Sequence, residues 1–157
     1  MENYIFFMRQ AMLLASEAAA EGEVPVGAII VFNNEIIACG KNRREVGKNA
    51  LYHAEIEAID KACKKLGGWR LWQCDMYVTL EPCPMCAGAI INSRIKRLVY
   101  GAYDKKSGSC GSVTNLFDFP YNHKPVVIPG LMEQECAKIL KDFFLDLRKR
   151  KHNNLKP

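Results

Sequence analysis

Two short stretches of this chain carry metal-binding side chains: His53-Ala54-Glu55 and, thirty positions later, Pro82-Cys83-Pro84-Met85-Cys86. One imidazole and two thiolates fill three corners of a tetrahedral zinc site. With three ligands evident, the fourth corner is left to water, which is the arrangement of a catalytic rather than a structural zinc. Glu55 stands beside the ligand His53, where a group that moves that water's protons belongs. Either stretch alone carries little weight. A single Cys-x-x-Cys is as often a redox pair or half of a zinc ribbon, and no second one exists here to complete a ribbon.

The order His-x-Glu followed by Pro-Cys-x-x-Cys is the signature of zinc deaminases that act on nucleobases. It places demands on the elements around it. Residues two apart in a helix interior point to nearly opposite sides, so His53 and Glu55 serve one site only if His53 opens a helix and Glu55 lies in its first turn. Pro84 suits the first position of another helix, which puts Cys83 and Cys86 three residues apart on one turn. Two helix N-termini then converge on the metal, favouring thiolates and lowering the pKa of a bound water.

Hydrophobic spacing supplies the rest of the frame. Tyr4 to Glu21 reads as a helix, with Ile5, Met8, Met12, Ala15 and Ala19 as its apolar stripe and Gly22 as its stop. Val24 to Phe32 is a β-branched run suited to a strand buried on both faces, and Asn33-Asn34 turns it into a second strand, Glu35 to Cys39. Gly40 to Leu51 is a polar loop. His53 to Leu66 forms the second helix, with Ile56, Ile59, Cys63 and Leu66 inward. Cys74 to Leu80 is a third strand, and Pro84 to Asn92 is a helix whose small apolar face serves either the core or a second subunit. Ile95 to Tyr100 is a fourth strand, paired parallel to the third through a helical crossover. A loop runs from Gly101 to Leu116, a fifth strand from Val126 to Ile128, and a last helix from Leu131 to Lys151 with Ile139, Leu140, Phe143 and Leu147 inward. The sum is an α/β fold in three layers, α/β/α, around a five-stranded mixed sheet.

At 157 residues, 49% of them hydrophobic, the chain suits one domain spanning 1–157. It lacks the run of about 20 apolar residues that a membrane span needs. Met1-Glu2-Asn3-Tyr4 shows neither a basic leader nor a cleavage site, and seven cysteines without an export signal fit a cytoplasmic protein with free thiols. Cys39, Cys63, Cys74, Cys110 and Cys136 read as small buried residues, Cys110 least securely because its surroundings are polar. The net charge of +5 suits a polyanionic partner, as do the clusters Arg148 to Lys151 and Arg94, Lys96 and Arg97. A basic helix end also has a purely structural use, since cations favour helix C-termini.

The chain resembles the cytidine deaminase superfamily and, within it, the bacterial tRNA-specific adenosine deaminases. The resemblance runs nearly end to end. It rests on Val24-Pro25-Val26-Gly27-Ala28, His53-Ala54-Glu55, Thr79 to Ala89, Gly101 to Gly108 and Asn122-His123. It implies a cytidine deaminase-like fold, Zn2+ held by His53, Cys83 and Cys86, and Glu55 as proton shuttle. It implies further that Asn42 and Asn122 face the target nucleotide, and that Asp104, Lys106, Ser107, Phe144 and Arg148 touch its neighbours in a tRNA anticodon stem-loop. The family acts as a homodimer. One departure stands out: Asn49-Ala50-Leu51-Tyr52 replaces the proline-containing segment that usually precedes the histidine, which predicts a less rigid entry loop.

The implied reaction is hydrolytic deamination of adenosine to inosine at the wobble position. Two rivals remain at this level. A deaminase of a free nucleobase or nucleoside, guanine or cytosine, uses the same zinc chemistry. A zinc-stabilised RNA-binding module without turnover would need a fourth protein ligand, for which Cys110 is the candidate, and would leave Glu55 idle. Asn42 likewise has a bland alternative as an internal polar cap.

Overall fold

The computed structural model describes residues 2–154; Met1 and residues 155–157, the two ends of the range expected for the domain, lie outside it. The sheet starts from a hairpin. Strands β1 (Gly27–Phe32) and β2 (Glu35–Lys41) pair antiparallel around Asn33 and Asn34, which both take left-handed φ values, 49° and 64°. A two-residue hairpin turn matched to the sheet's twist needs positive φ at both positions, and asparagine tolerates it. On its other side β1 pairs antiparallel with β3 (Cys74–Leu80), and β3 pairs parallel with β4 (Arg97–Ala102). The short β5 (Val126–Ile128) adds to β4 in parallel, giving the order β2-β1-β3-β4-β5. The mixed five-stranded sheet is thus present, with the parallel pair joined through the cysteine helix.

Helix α1 (Glu2–Ala20) and helix α5 (Glu133–Asn154) cover one face of the sheet; α3 (Ala54–Leu66) and α4 (Pro84–Ser93) cover the other. Strand side chains alternate between the two cores. Ile29, Val31, Tyr77 and Val99 join α1 and α5, whereas Ala28, Ile30, Met76, Val78 and Leu98 join α3 and α4. Among the described residues no helix is long and apolar enough to cross a membrane.

Several expectations need correction. β1 begins at Gly27, not Val24. Pro25 has no N–H to donate to a ladder, and the carbonyls of Val24 and Val26 accept instead from the Asn42 side chain and backbone. β4 begins two residues later than expected, because the Ile95 N–H is taken by the Ile90 carbonyl at the end of α4. The polar loop after β2 contains a single helical turn, α2 (Arg44–Gly47).

The inward faces of the helices also differ from those read by spacing. On α3 the buried residues are Ala54, Glu55, Ala58 and Ala62, while Ile59 and Cys63 pack at the margin and Leu66 is exposed. On α1 they are Phe7, Met8, Ala11, Ala15 and Ala18, and Ile5 is exposed. In both cases a glycine on the sheet draws the helix backbone in. A Cβ on Gly40 would lie 2.1 Å from the Ala54 carbonyl oxygen, and one on Gly27 would lie 2.0 Å from that of Ala11. At such close approach only alanine fits along the contact line, and larger residues move to the flanks. On α5 only Cys136 is buried, and Leu147 is exposed. A helix of 22 residues runs about 33 Å, well past a strand of six at about 20 Å. Cys74, Cys110 and Cys136 are buried as expected, whereas Cys39 and Cys63 are only partly so; all seven cysteines are free thiols.

Candidate metal and substrate site

His53 is the N-cap of α3, with extended backbone angles of φ −84° and ψ 154°, and Cys83 is the N-cap of α4, at φ −73° and ψ 176° with Pro84 next. Neither side chain caps its own helix; both turn toward each other. His53 Nδ1 lies 3.6 Å from Cys83 Sγ and 3.5 Å from Cys86 Sγ. All three donor atoms fall within 4.8 Å of one another, and they form the one such set containing His or Cys among the described residues. A tetrahedral ion with bonds of about 2.3 Å to sulfur and about 2.0 Å to nitrogen spans an S···N edge of roughly 3.5 Å. The three side chains therefore stand at metal-ligand spacing.

The two thiols are driven in opposite directions. The Cys83 thiol is lowered to about 4, first by the hydrogen bond from Cys86 and then by His53. Cys86 is pushed up by the same hydrogen bond and by burial. The hydrogen bond to Cys83 raises His53. Both sulfurs sit at the opening turn of α4, where unpaired N–H groups favour a thiolate. Cys110, the candidate fourth ligand, does not join the set: its sulfur lies 4.0 Å from the Pro82 carbonyl. The protein thus offers three ligands, and the module that needs four loses its support.

Glu55 lies in the first turn of α3, 4% exposed, and lines the cavity beside His53 and Cys83. Burial raises its carboxyl above the ordinary carboxylate range, opposed in part by a hydrogen bond from the Cys86 thiol. The condition placed on His53 and Glu55 by their spacing is met: one opens the helix and the other follows in its first turn.

The cavity measures about 630 Å³, within the range of small-ligand sites. Asn42, at 5% exposure, lines it. Its Nδ2 donates to the Val24 carbonyl at 3.1 Å and its Oδ1 accepts from the Arg44 N–H at 3.3 Å. The polar-cap role and the cavity-facing role therefore coexist, since an amide has a second N–H and a second lone pair. Asp104, Lys106, Ser107 and Phe144 line the cavity as well. The Asp104 carboxylate accepts from the backbone N–H groups of Lys106 and Ser107 and from the Ser107 hydroxyl. Its side chain shapes the loop on which the exposed Lys106 stands.

Two residues fall elsewhere. Arg148 lies one turn beyond Phe144, its Nε donating to the Phe144 carbonyl at 3.3 Å, in a shallow groove with Lys149 and His152. Asn122 is exposed and does not line the cavity. Its neighbour His123 donates from Nε2 to the Ile95 carbonyl at 2.7 Å, at the end of the sheet where β4 begins, opposite the end where β3 leads into the ligands. The entry loop without proline is tied by hydrogen bonds: Asn49 Oδ1 accepts from Leu51 N–H, and Arg43 N–H donates to the Tyr52 carbonyl.

Sequence reasoning missed two buried carboxylates that hold the walls of this cavity. Glu23, 1% exposed, accepts from the N–H groups of Glu45 and Val46 and so anchors α2 beside Asn42. Glu81, 2% exposed, does the same for the opposite loop. The available signal was an acid set directly against an apolar strand, in Glu23-Val24-Pro25 and Leu80-Glu81-Pro82.

The MafB19-like deaminase family model matches residues 2–148. The chain is 48% identical over 146 residues to the tRNA-specific adenosine deaminase of Bacillus subtilis (strain 168), covering 92% of this chain and 91% of that one. The chain belongs to the tRNA-specific adenosine deaminase family. A solved structure from work on tRNA:A34 deaminases, which carry out A-to-I editing at the wobble position, matches this family member with a TM-score of 0.84 and 46% identity over 86% of this chain and 99% of its own. The guanine deaminase of Nitrosomonas europaea shares the fold at a TM-score of 0.71 and 25% identity, over 87% of this chain and 82% of its own. The tRNA-specific adenosine deaminase match is therefore the stronger in both sequence and backbone.

Proposed function

We propose that this protein is a zinc-dependent hydrolase that converts adenosine to inosine at the wobble position of a tRNA anticodon and releases ammonia. The observation that carries the proposal is the cavity itself, in which a buried Glu55 adjoins a His53-Cys83-Cys86 ligand set and exposed lysines stand on the rim. Zinc fits the nitrogen-and-two-sulfur donor set, and when bound it supplies a Lewis acid that lowers the pKa of water from ~15.7 toward ~7. Glu55 takes a proton from the attacking water and delivers it to N1 of the purine, then takes the proton of the hydroxyl newly added at C6 and delivers it to the departing amine; two protons taken and two given leave it as it began. Burial suits it to this work, because a raised carboxyl gives up protons as well as accepting them. Asn42, already oriented by Val24 and Arg44, keeps an N–H and a lone pair for the base edge.

An anticodon loop presents unstacked bases that can be turned into a pocket at small cost. Lys106 and Arg148 then hold backbone phosphates, which position the RNA while the pocket reads the base. The proposal includes a homodimer in the cytoplasm. Asn122 lies far from the cavity of its own chain, which suits service to the cavity of a second copy.

The decisive assay incubates the purified protein with an anticodon stem-loop carrying a wobble adenosine, alongside free guanine, cytosine and adenosine. Inosine from the stem-loop alone is the expected result; ammonia from a free base and none from RNA would replace this reading with the nucleobase one. Lys106→Ala and Arg148→Ala are each expected to weaken stem-loop binding and to lower the salt dependence of the binding constant by about one in slope. A defect equally large at low and high salt would remove both residues from the phosphate contacts.

A further inference from the structure

The Glu81 carboxylate is buried, and none of the described ion pairs involves it. Its partners are all hydrogen-bond donors from one loop. Oε1 accepts from Asp104 N–H at 3.2 Å and from the Ser112 hydroxyl. Oε2 accepts from Cys110 N–H at 3.1 Å and from Ser112 N–H at 3.0 Å. The donors at the two ends of this loop thus meet at one carboxylate. Two backbone bonds reinforce the junction: Glu81 N–H donates to the Ala102 carbonyl, and Ser109 N–H donates to the Pro82 carbonyl. Gly108 completes it, since a Cβ there would lie 2.4 Å from the Glu81 carboxylate and 2.4 Å from the Asp104 carbonyl oxygen.

What this loop carries gives the junction a purpose. Asp104 receives the Glu81 bond through its backbone and uses its side chain to set Lys106 and Ser107 at the cavity wall. Glu81 itself stands two residues before the ligand Cys83. One rigid side chain therefore joins the segment holding the metal ligands to the segment facing the substrate.

We propose that Glu81 is a positioning residue for the deamination: it fixes the 104–112 loop, and with it Lys106 and Ser107, relative to Cys83 and Cys86, so that an RNA held by the loop presents its base to Glu55. The inference rests on the reading of the cavity as the RNA site. Its chemistry is specific to a carboxylate. A glutamine turned one way sets its NH2 against the N–H groups of Cys110 and Ser112, and turned the other way sets it against the Asp104 N–H, where only the Ser112 hydroxyl can rotate to accept; either way at least one backbone bond is lost. Glu81→Gln is thus not a mild change in spite of its shape.

The test measures KM, kcat, stem-loop Kd and zinc content for the native protein, Glu81→Gln, Ser112→Ala and the double variant. Glu81→Gln is expected to raise KM and Kd by about tenfold, as a buried N–H left facing an NH2 group implies, with zinc retained and the fall in kcat much smaller. Ser112→Ala, which leaves the ligand segment untouched, is expected to show the same split at a few-fold. The double variant should be no worse than Glu81→Gln alone, because the serine hydroxyl acts through the carboxylate. Native KM and Kd in both single variants would overturn the proposal. So would lost zinc and lost kcat at unchanged Kd, which would make Glu81 a prop for the ligand segment only. Should Glu81→Gln not fold, Ser112→Ala decides by the same split. A native chain inert toward the stem-loop overturns the RNA reading together with this inference, whereas an active native chain with unaffected variants overturns this inference alone.

Discussion

Glu55→Ala is expected to retain a full complement of zinc and to deaminate at least about 10³-fold more slowly than the native protein. The proposed ligands are His53, Cys83 and Cys86, which the substitution leaves in place. What disappears is the buried carboxyl that adjoins them in the first turn of α3 and lines the cavity. Without it, proton movement from water to N1 and to the leaving amine falls to solvent, which a 4% exposed position excludes. Stability should move the other way. Burial raises the carboxyl because the fold holds a charge where water cannot reach it, and removing that charge relieves a cost. The expected pattern is therefore a dead enzyme with native zinc and an unfolding temperature equal to or above native. Stoichiometric zinc with turnover within tenfold of native would end the assignment of Glu55 as proton carrier.

The second large effect lies outside the cavity. Gly40→Ala puts a methyl group 2.1 Å from the Ala54 carbonyl oxygen and 2.8 Å from the Ala58 nitrogen. Both are backbone atoms of α3, so no side chain can swing aside and the helix itself must move. Ala54 stands between His53 and Glu55; a shift there displaces the ligand and the proton carrier together. Overpacking of this kind costs about 1–3 kcal/mol or more, and a displacement near 1 Å at a reacting centre costs roughly 100-fold in rate. Gly40→Ala should lower the unfolding temperature, leave zinc below one per chain and reduce turnover by about 100-fold. Gly27→Ala is the matched control. Its methyl group would meet the backbone of Ala11 and Ala15 on α1, which carries no ligand, so it should lose similar stability while keeping its zinc. A Gly40→Ala protein with native zinc content and turnover would show that α3 is not held at the site by this contact.

The grouping of the site's side chains was legible in the linear chain because a metal-binding donor set depends on residue type and short-range spacing. His53, Glu55, Cys83 and Cys86 carry their meaning within two local motifs, and the need for each motif to open a helix follows from backbone geometry alone. The hairpin turn at Asn33-Asn34 and the parallel β3–β4 pair are local or nearly so, and they too were readable. The buried faces of α1 and α3 were readable only in part: Met8 and Ala15 were expected inward and are buried, whereas Ala11, Ala18, Ala58 and Ala62 were not expected there. Periodicity favours the bulkiest apolar residues, but the two glycines of the sheet select the alanine rows, and that choice exists only once helix and strand are in contact. The separation of Asn122 from the cavity likewise depends on which end of the sheet receives the 119–124 segment. Glu23 and Glu81 remained hidden for a related reason. A buried carboxylate is defined by donors brought from distant positions, such as Asp104, Cys110 and Ser112 for Glu81. Residue identity and near-neighbour spacing settle which atoms can grip a metal and move a proton; the folded chain alone settles which backbone groups close around them.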